Sequence, residues 1–344
     1  MIRLSLCIPT YNRGRFIGET LESIVQQATD EIEIVISDNA SEDNTEEVVR
    51  VYQEKFPRIT YFRWDRNMGA DKNFLKVIDL ANGQYCWFIG SDDVLEKNGI
   101  GTVLASLSRN LGLSGMSVNS SGYSFDDMNI QVATYPVGGG KIRNNRSYGD
   151  LESIFSDIGY YIGYISGQVV RRDLWNQVVY ESGSDLALFF NAYVHVYIIA
   201  RMLQKSPRWL FVYDRCVKWR SDNDSFLDRG HFDGHFKRLA LDVVGYDSIT
   251  RQVFGSQSRI HRIMQKKVST LHLRYHLLSA KYRGEKTTFY WKVFKLCFKT
   301  YWRCPSFWFQ TFPILVMYRP VILGIHWFYK RAGMSWSTKS LLRE

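Results

Sequence analysis

The sequence predicts an α/β protein in which helices cover a mostly parallel β-sheet on both faces. Two patterns carry this prediction. Short apolar strands alternate with amphipathic helices through the first hundred residues, and polar side chains follow each of four predicted strands. Parallel strands need long crossover connections, which helices usually supply, so this alternation is typical of βαβ units. With 344 residues, the chain has room for one large domain or two smaller ones.

Periodicity and turn residues define the elements of this first region. The four predicted strands are LSLCIPT (4–10), IEIVIS (32–37), ITYFRW (59–64) and YCWFI (85–89). A helix is predicted after the Asn12-Arg13-Gly14 turn, because apolar residues recur there at helical spacing. A second helix is predicted after an Asn44-Thr45 cap, and a third, KNFLKVIDLANG, ends at Asn82-Gly83.

The predicted strands all end in polar residues. In open parallel sheets, ligands bind outside the carboxyl ends of the strands, near a reversal of strand order. The four polar clusters are Thr10-Tyr11-Asn12, Asp38-Asn39, Asp65-Arg66-Asn67 and Asp92-Asp93. Solvated turns alone do not readily account for four such clusters, so we expect a ligand site at this edge of the sheet.

The carboxylates of Asp92 and Asp93 follow an apolar strand directly. Mutual repulsion and desolvation both oppose such a pair unless a cation neutralises it. A hard divalent cation prefers oxygen ligands and often bridges to phosphates, so Mg²⁺ or Mn²⁺ beside a diphosphate would make the pair favourable. The alternative is a helix N-cap followed by a solvated turn, which the tripeptide Ser-Asp-Asp alone does not exclude.

The remainder of the chain divides into two further regions. We predict domain boundaries that give regions 1–110, 111–235 and 236–344. The middle region contains a predicted strand GYISGQVVRR (163–172), a long helix over about 185–205, and a strand WLFVYDRCVKW (209–219) that runs into RSDNDSF. The last region is predicted to be helical. Five scattered cysteines without a CxxC pair argue against a disulfide framework or a zinc site, and they suit a reducing cytoplasm.

The quoted motifs also resemble those of a known family. The segments SLCIPTYNR, IEIVISDNASEDNTEEV and NMGADKNFLKVIDLANGQYCWFIGSDD are similar to family 2 glycosyltransferases with the GT-A (Rossmann-like) fold. Together with DNDSF (222–226), they resemble more narrowly the bacterial abequosyltransferases of O-antigen synthesis. The resemblance implies a hexosyltransferase-type enzyme that uses a nucleotide-sugar donor, with 1–110 as the donor-binding half and 111–235 as the acceptor and catalytic half.

The resemblance implies roles for individual residues. Thr10 and Asp38 would contact the nucleotide base and ribose, Asp92 the ribose or the metal shell, and Asp93 the metal. Lys72 stands where the family usually has Arg, and Gly90 stands where the common family form has a further acid, so the acidic site is thinner than usual. The implied donor-site residues are Pro9, Thr10, Tyr11, Asp38, Asn67, Lys72 and Asp92, and the implied metal ligands are Asp92 and Asp93.

The catalytic base is less well defined. Family members usually have an acidic pair near a helix start about a hundred residues after the metal motif, and SGSDLALFFNAYVHVYIIARM lacks it. Sugar transfer to a hydroxyl needs a proton acceptor, and His195 and the earlier Asp185 are the candidates for that role. We rank His195 first. A hydrogen-bonded structural histidine and a helix-capping aspartate are the alternatives. The acids missing at position 90 and in the base region leave an alternative function open. The protein would then be a catalytically degraded relative that binds a nucleotide sugar and acts as a partner in a membrane assembly complex.

Charge is concentrated at the C-terminal end. Residues 281–344 have twelve Lys/Arg against two acids and 17 of the 52 aromatic residues. Amphipathic segments lying peripherally on an anionic membrane surface would explain this mixture, with Lys292, Lys295, Lys299 and Arg303 on one side. An undecaprenyl-diphosphate-linked oligosaccharide acceptor at the cytoplasmic face of the bacterial inner membrane would then be within reach. The alternative is packing of these aromatics on the core or within a homo-oligomer. Without a recognised nucleic-acid-binding module, we expect no nucleic acid partner.

Overall fold

The structure is a computed structural model that describes residues 2–134, 137–191, 193–221 and 234–324. The chain divides into two compact units, Met1–Asp222 and Asn223–Glu344. The first unit contains the sheet, and the described part of the second is helical. The α/β prediction is therefore confirmed.

The amino-terminal half of the first unit contains four parallel strands and three crossover helices. The strands are β1 Leu4–Thr10, β2 Ile32–Asp38, β3 Ile59–Arg63 and β4 Tyr85–Phe88. The helices are α1 Gly14–Val25, α2 Thr45–Lys55 and α3 Ala70–Asp79. The four predicted strands and three predicted helices are all present, with ends that differ by a few residues. In the sheet, the strands lie in the order β3-β2-β1-β4.

The sheet continues with mixed strand directions beyond β4. Its elements are β5 Val94–Leu95, α4 Gly99–Arg109, β6 Gly115–Tyr123, β7 Gln131–Thr134, β8 Arg146–Tyr148, α5 Leu151–Asp157, β9 Gln168–Arg171, α6 Arg172–Ser182, α7 Val194–Lys205 and β10 Trp209–Arg220. The full order is β3-β2-β1-β4-β9-β6-β10-β5, with β7 paired to β6 and β8 to β10. Strand β9 runs antiparallel to both β4 and β6, and it therefore joins the two halves of the sheet.

Apolar side chains of the central strands form the core. Leu4, Leu6 and Ile8 of β1 are fully buried, and Ile17 and Leu21 of α1 pack with them in one cluster. Each such side chain contributes about 1.5–3 kcal/mol when it is fully removed from water. The core therefore fixes β1 rigidly, and the loop that follows its carboxyl end starts from a fixed position.

Three details of the prediction are wrong. The predicted strand 163–172 is a strand only from Gln168, because the preceding residues form 3₁₀ turns. The predicted helix over 185–205 begins at Val194, and residues Gly183–Phe189 form a separate 3₁₀ helix. The Asn44 side chain does not cap α2; the carboxylate of Asp43 accepts the Thr45 backbone N–H instead, at 3.1 Å.

The second unit consists of helices over its described residues, as predicted from the sequence. They are α8 Gly234–Phe254, α9 Arg259–Lys267, α10 Leu273–Arg283, α11 Thr287–Tyr301 and α12 Phe312–Val316. Two π-helical turns, Val268–His272 and Phe307–Thr311, lie between them. Within the described parts of the chain, every helix is too short or too polar to span a bilayer.

Candidate active site

The strand order reverses at β1, which pairs with β2 on one side and with β4 on the other. Thr10 lies opposite Asp38 in the β1–β2 ladder, and the Ile89 backbone N–H donates to the Cys7 carbonyl at 2.9 Å at the end of β4. The predicted polar clusters that follow β1, β2 and β4 therefore start from the same edge of the sheet. A strand-order reversal of this kind is where open α/β sheets bind ligands.

Asp38 is fully buried at the end of β2 and organises the loop that follows. Its Oδ1 accepts hydrogen bonds from the Ser41 backbone N–H at 2.9 Å and from the Ser41 hydroxyl at 2.6 Å. Its Oδ2 accepts from the Tyr61 hydroxyl at 2.6 Å, and burial together with this carboxylate raises the pKa of Tyr61. An ionised carboxylate has about four acceptor positions, and these bonds occupy three of them.

Asn73 of α3 is a site residue that the sequence analysis missed. Its side-chain N–H groups donate to the Ser37 carbonyl at 2.8 Å and to the Thr10 carbonyl at 3.3 Å, and its oxygen accepts from the Ser37 hydroxyl at 2.7 Å. The side chain is 3% exposed. The sequence did offer a signal for this role: an amide on the buried face of an amphipathic helix needs hydrogen-bond partners, because buried polar groups are almost always paired. Asn73 thus holds the ends of β1 and β2 together.

The other predicted donor-site residues range from buried to exposed around this edge. Thr10 is 2% exposed, and its hydroxyl has no hydrogen-bond partner among the described residues. An orphaned buried hydroxyl is costly, and a ligand that supplies a partner would relieve that cost. Pro9 is half-buried and Tyr11 is 41% exposed. Lys72 and Asn67 are exposed, and Asn67 accepts a hydrogen bond from the Asn39 side chain at 2.8 Å.

The carboxylate of Asp93 points inward and is 6% exposed, whereas Asp92 is half-buried. Oδ2 of Asp93 accepts hydrogen bonds from the Ser166 hydroxyl at 2.5 Å and from the Tyr164 hydroxyl at 2.9 Å. Oδ1 accepts a longer bond from the Arg220 backbone N–H at 3.4 Å. Burial first, and then the charge of Asp92, raise the pKa of Asp93 from 3.8 to about 7. The pair is therefore strained electrostatically at neutral pH.

The arrangement of these two carboxylates fits a divalent cation. A Cβ added to Gly90 would lie 3.1 Å from Asp93 Oδ2 and 3.4 Å from Asp92 Oδ1, so oxygens of both residues converge on the space beside this glycine. Hard oxygen donors of this type suit Mg²⁺ or Mn²⁺, and a cation would offset the repulsion that raises the pKa of Asp93. Two carboxylates leave most coordination positions to water and to substrate phosphates, as Mg²⁺ prefers.

A short segment that the sequence analysis read as strand presents Ser166 and Tyr164 to Asp93. It consists of two 3₁₀ turns, Tyr161–Gly163 and Ile165–Gly167. The Ser166 carbonyl accepts from the Trp87 indole N–H at 2.8 Å, and its hydroxyl accepts from the Gly90 backbone N–H at 2.8 Å. Trp87 belongs to β4, and Gly90 lies just after the end of that strand. By binding both residues, the segment fixes the position of Asp93 relative to the strand end.

Arg220 at the end of β10 is a second residue that the sequence analysis missed. Its side chain is 2% exposed and pairs with Glu19 at 2.7 Å. The guanidinium also donates to the Phe125 carbonyl at 2.6 Å and to the Asp92 carbonyl at 3.3 Å. Its planar group therefore joins α1, the loop after β6 and the acidic pair, which a lysine could not do with the same geometry.

The predicted base residues lie in different surroundings. His195 is 2% exposed in the first turn of α7, where its Nε2 lies 3.3 Å from the Gly163 carbonyl and its ring packs edge-on against Phe74. The Asp71 carboxylate accepts from the Val194 backbone N–H at 3.0 Å and so connects α3 to the start of α7. The same 3₁₀ segment thus contacts both residues: Gly163 contacts His195, and Ser166 contacts Asp93.

Asp185 is exposed on the 3₁₀ helix Gly183–Phe189, outside α7. Among the described residues, its side chain makes no hydrogen bond or ion pair with the polar strand ends. The motif DNDSF (222–226), which contributes to the resemblance to abequosyltransferases, lies outside the described residues.

The fold is similar to those of solved structures that hold a nucleotide sugar. Staphylococcus aureus TarS residues 1–349 in complex with UDP-GlcNAc superposes with a TM-score of 0.61 at 14% identity, over 97% of this chain and 93% of that one. A mannosyltransferase, PcManGT from Pyrobaculum calidifontis, in complex with GDP-Man and Mn²⁺, superposes with a TM-score of 0.50 at 13% identity, over 96% and 88%. The parallel half-sheet with its polar switch point is thus the fold of the GT-A glycosyltransferases.

Sequence relatives give the family. The family model described as glycosyl transferase family 2 matches residues 5–174. Abequosyltransferase RfbV of Salmonella typhimurium is 30% identical over 271 residues, 76% of this chain and 78% of that protein. GalNAc(5)-diNAcBac-PP-undecaprenol beta-1,3-glucosyltransferase of Campylobacter jejuni is 32% identical over 105 residues, 30% and 34% of the two chains. The chain belongs to glycosyl transferase family 2 and is a glycosyltransferase, as its motifs predicted.

Proposed function

We propose that this glycosyltransferase moves a sugar from a nucleotide-sugar donor to a lipid-linked oligosaccharide during assembly of O-antigen or a related surface polysaccharide. The observation that carries the proposal is the convergence of Asp92 and Asp93 oxygens beside Gly90, at the switch point of the sheet. The likeness to RfbV over 76% of this chain supports the pathway, and the undecaprenol-linked substrate in the name of the Campylobacter jejuni relative supports the acceptor class.

In the proposed reaction, an acceptor hydroxyl oxygen attacks the anomeric carbon of the donor sugar. A carbon–oxygen bond forms there while the bond to the nucleoside diphosphate breaks, and the hydroxyl proton passes to a basic side chain. His195 is the first candidate for that base and Asp185 the second. Residues 1–110 form the donor-binding half in this proposal, and residues 111–235 form the acceptor and catalytic half.

The donor would lie along the carboxyl edge of β1, β2 and β4. Thr10 and Asp38 would contact the base and ribose. The Thr10 hydroxyl has no hydrogen-bond partner among the described residues, and the hydrogen bonds of Asp38 occupy three of the about four acceptor positions of its carboxylate, so both could bind polar groups of the donor. Pro9, Tyr11 and Asn67 would line the same edge, and the exposed Lys72 would supply positive charge. When bound at Asp92 and Asp93, Mg²⁺ or Mn²⁺ would supply electrostatic stabilisation for the departing diphosphate.

The second unit would contact the membrane through one face of α11. Its buried side consists of Phe289, Val293, Cys297 and Tyr301, and its exposed side carries Trp291, Lys292, Lys295, Phe298 and Lys299. Trp302 and Arg303 continue the exposed side after the helix ends, with Trp302 54% exposed. Aromatic rings and cations on a common face suit a bilayer whose headgroups are anionic. This surface would place the enzyme peripherally at the cytoplasmic face of the inner membrane.

A vesicle experiment tests the membrane contact. The full chain should float with vesicles that contain phosphatidylglycerol and should bind pure phosphatidylcholine vesicles much more weakly. The triple variant Lys292→Gln, Lys295→Gln, Lys299→Gln should lose binding by roughly tenfold or more, since each cation near the surface contributes about 1 kcal/mol. A control exchange at two exposed lysines of the first unit, Lys97→Gln and Lys141→Gln, should leave binding unchanged. Equal loss in both sets would contradict the proposed surface.

The transferred sugar is the finer part of the proposal. The resemblance to abequosyltransferases favours a 3,6-dideoxyhexose donor such as CDP-abequose. A thermal-shift screen of nucleoside diphosphates, with and without Mn²⁺, tests this assignment, because a ligand that binds only the folded state raises the melting temperature. We expect CDP with Mn²⁺ to give the largest shift. A preference for UDP or GDP would exclude the dideoxyhexose donor and keep the enzyme class.

A specific observation favours one alternative, a catalytically degraded nucleotide-sugar-binding partner of a membrane assembly complex. Glycine occupies position 90, and the candidate base His195 is only 2% exposed. Transfer of radiolabelled sugar from donor to extracted bacterial lipids, with purified protein, separates the two functions. Product formation that Asp93→Asn removes supports the enzyme. Tight nucleotide binding without product, under conditions where a family relative is active, would support the partner.

A further inference from the structure

Three metal-ligating side chains meet in the second unit, away from every residue predicted for sugar transfer. They are Asp242 of α8, His272 at the end of the π-helical turn Val268–His272, and His276 in the first turns of α10. One ligand atom from each lies within 4.8 Å of the others. Among the described residues, this is the one group of three or more such side chains with that spacing.

The geometry points to a binding site for a borderline divalent transition metal such as Zn²⁺, and we propose that Asp242, His272 and His276 ligate it. Two imidazoles and one carboxylate are a common protein ligand set for Zn²⁺ and leave a fourth position for water. The cysteine-based expectation that the chain has no zinc site does not bear on this cluster, because none of its ligands is a cysteine. The proposal is independent of the proposed transfer reaction.

The distances allow coordination with small side-chain movements. His272 Nε2 lies 2.5 Å from Asp242 Oδ2, and the ring centroids of His272 and His276 are 4.3 Å apart. Metal–ligand bonds of about 2.0–2.2 Å place tetrahedral ligands roughly 3.3 Å apart. The His272–Asp242 contact would therefore have to open by less than about 1 Å to admit the ion.

The local backbone favours this arrangement. His272 and His276 are four residues apart, so successive helical turns present both rings on one face. The π-helical turn before α10 ends at His272, and π-turns inside helices frequently occur at functional sites. The two histidines are half-buried, and Asp242 is fully buried. A metal would thus connect α8 to α10.

Charges around the cluster are compatible with a cation. Arg238 Nε lies 3.5 Å from Asp242 Oδ2, so the Arg238 guanidinium and a metal ion would share this carboxylate. A carboxylate has about four acceptor positions, which is enough for an arginine and a metal together.

Metal analysis of the full-length protein tests the site. The chain is stripped with EDTA, incubated with excess ZnCl₂, dialysed, and its metal content is measured together with its melting temperature. We expect one equivalent of zinc and a higher melting temperature than in the stripped protein. His272→Gln and His276→Gln should each weaken zinc binding by at least about tenfold, because loss of even an outer partner has effects of that size. Asp93→Asn should retain the equivalent, which excludes binding at the strand ends.

A second measurement keeps the proposal falsifiable if the histidine variants fail to fold. Co²⁺ bound by two imidazoles and a carboxylate gives intense visible bands, whereas hexaaqua Co²⁺ gives weak ones, so the unaltered protein should acquire intense bands that one equivalent of Zn²⁺ removes. Absence of zinc uptake, zinc retained by both folded histidine variants, or only weak cobalt bands would each overturn the proposal. The cluster would then be a buried ion pair alone.

Discussion

The Ser166 hydroxyl donates a hydrogen bond of 2.5 Å to Oδ2 of Asp93, across 73 residues of sequence. The same hydroxyl accepts from the Gly90 backbone N–H at 2.8 Å. The Ser166 carbonyl also accepts from the Trp87 indole N–H. Ser166 therefore positions Asp93 relative to β4 through both its side chain and its backbone. Because the hydroxyl donates to a carboxylate, it also stabilises the ionised form of Asp93 and opposes the rise in its pKa.

Ser166→Ala should impair donor binding in a pH-dependent manner. Loss of the hydroxyl raises the pKa of Asp93 further above about 7, so Mn²⁺-dependent nucleotide binding should weaken near neutral pH and recover at higher pH. The buried bonds lost should cost about 1–3 kcal/mol of unfolding free energy. Thermal-shift titration across pH measures the first effect and urea unfolding the second.

Ser120→Ala is the matched control for that variant. Its hydroxyl is buried and hydrogen-bonds to the Tyr161 hydroxyl at 2.9 Å, without contact to Asp93. We expect a stability loss of about 1 kcal/mol and an unchanged pH profile of nucleotide binding. A pH shift of equal size in both serine variants would show that Ser166 acts on the fold alone.

Asp93→Asn should change the pH dependence of stability. The folded-state pKa of about 7 lies above the usual 3.8, so between these values the folded chain keeps a proton that the unfolded chain has released. The folded state then binds more protons, and its stability falls as the pH rises through this window. The neutral asparagine removes this fall, which at about 1.4 kcal/mol per pKa unit is at most about 4 kcal/mol.

Urea unfolding without metal at about pH 5 and about pH 8 measures this difference. The unaltered chain should lose more stability between the two values than Asp93→Asn, and the variant should lose Mn²⁺-dependent stabilisation by nucleotide. Identical pH dependence of the two proteins would mean that Asp93 titrates normally, and the electrostatic argument for its metal role would fail.

Arg220→Lys should destabilise the first unit by about 3 kcal/mol. Lysine retains the charge but cannot reach Glu19, Phe125 and Asp92 together, so buried carbonyl groups lose their partners. The control is Glu19→Gln, whose side chain is 55% exposed and whose pairing should contribute less than about 1 kcal/mol. Equal losses in chemical denaturation would indicate that the Glu19 pair, and not the backbone contacts, is the important interaction.

Features of the site that depend on local sequence could be predicted, and features that depend on distant contacts could not. Strand patterns followed by polar residues sufficed to predict the carboxyl-end clusters at Thr10, Asp38 and Asp93. Ser166 and Arg220 reach Asp93 across 73 and 127 residues, so their roles depend on how β9 and β10 enter the sheet. A single sequence carries no periodic signal for such contacts.

The errors in secondary structure have similar causes. The apolar pattern over 185–205 suits one helix, yet Gly183 at a φ of 48° ends α6 and leads into a 3₁₀ helix. Strand β9 is shorter than predicted because Gly167 lies in a 3₁₀ turn where an added Cβ would come within 2.9 Å of the Tyr161 ring. In both segments, tertiary packing overrides a pattern that is locally acceptable.

Asn73→Ala should separate structural from binding roles on α3. Its loss leaves the Thr10 carbonyl and the Ser37 groups without this partner in a buried setting, at a cost of about 3 kcal/mol. The neighbouring exposed Lys72→Ala should change stability by less than about 0.5 kcal/mol but weaken nucleotide binding. Unfolding curves and nucleotide titrations of both variants provide the comparison, and a large stability loss in Lys72→Ala would contradict it.

Kinetics of variants at His195 and Asp185 distinguish these two candidates for the catalytic base. If His195 accepts the acceptor proton, His195→Gln should lower kcat by about 10²–10⁴ while donor binding stays intact. If this base sets the acidic side of the pH profile of kcat, that fall in kcat at low pH should disappear in the variant. Asp185→Asn, on an exposed 3₁₀ helix, should leave both kcat and its pH profile nearly unchanged.

A purely structural histidine would behave differently. His195 is 2% exposed, and its Nε2 faces the Gly163 carbonyl at 3.3 Å, so its replacement would then lower the melting temperature without changing the pH profile of the remaining activity. For His195 to act as the base, the 3₁₀ segment from Tyr161 to Gly167 has to move when substrates bind, because proton transfer needs hydrogen-bond reach to the acceptor hydroxyl. The same segment positions Asp93 through Ser166, so donor binding and exposure of His195 would be coupled. Hydrogen exchange of this segment with and without Mn²⁺ and nucleotide should therefore differ, and unchanged exchange together with an unchanged pH profile in His195→Gln would exclude His195 as the base.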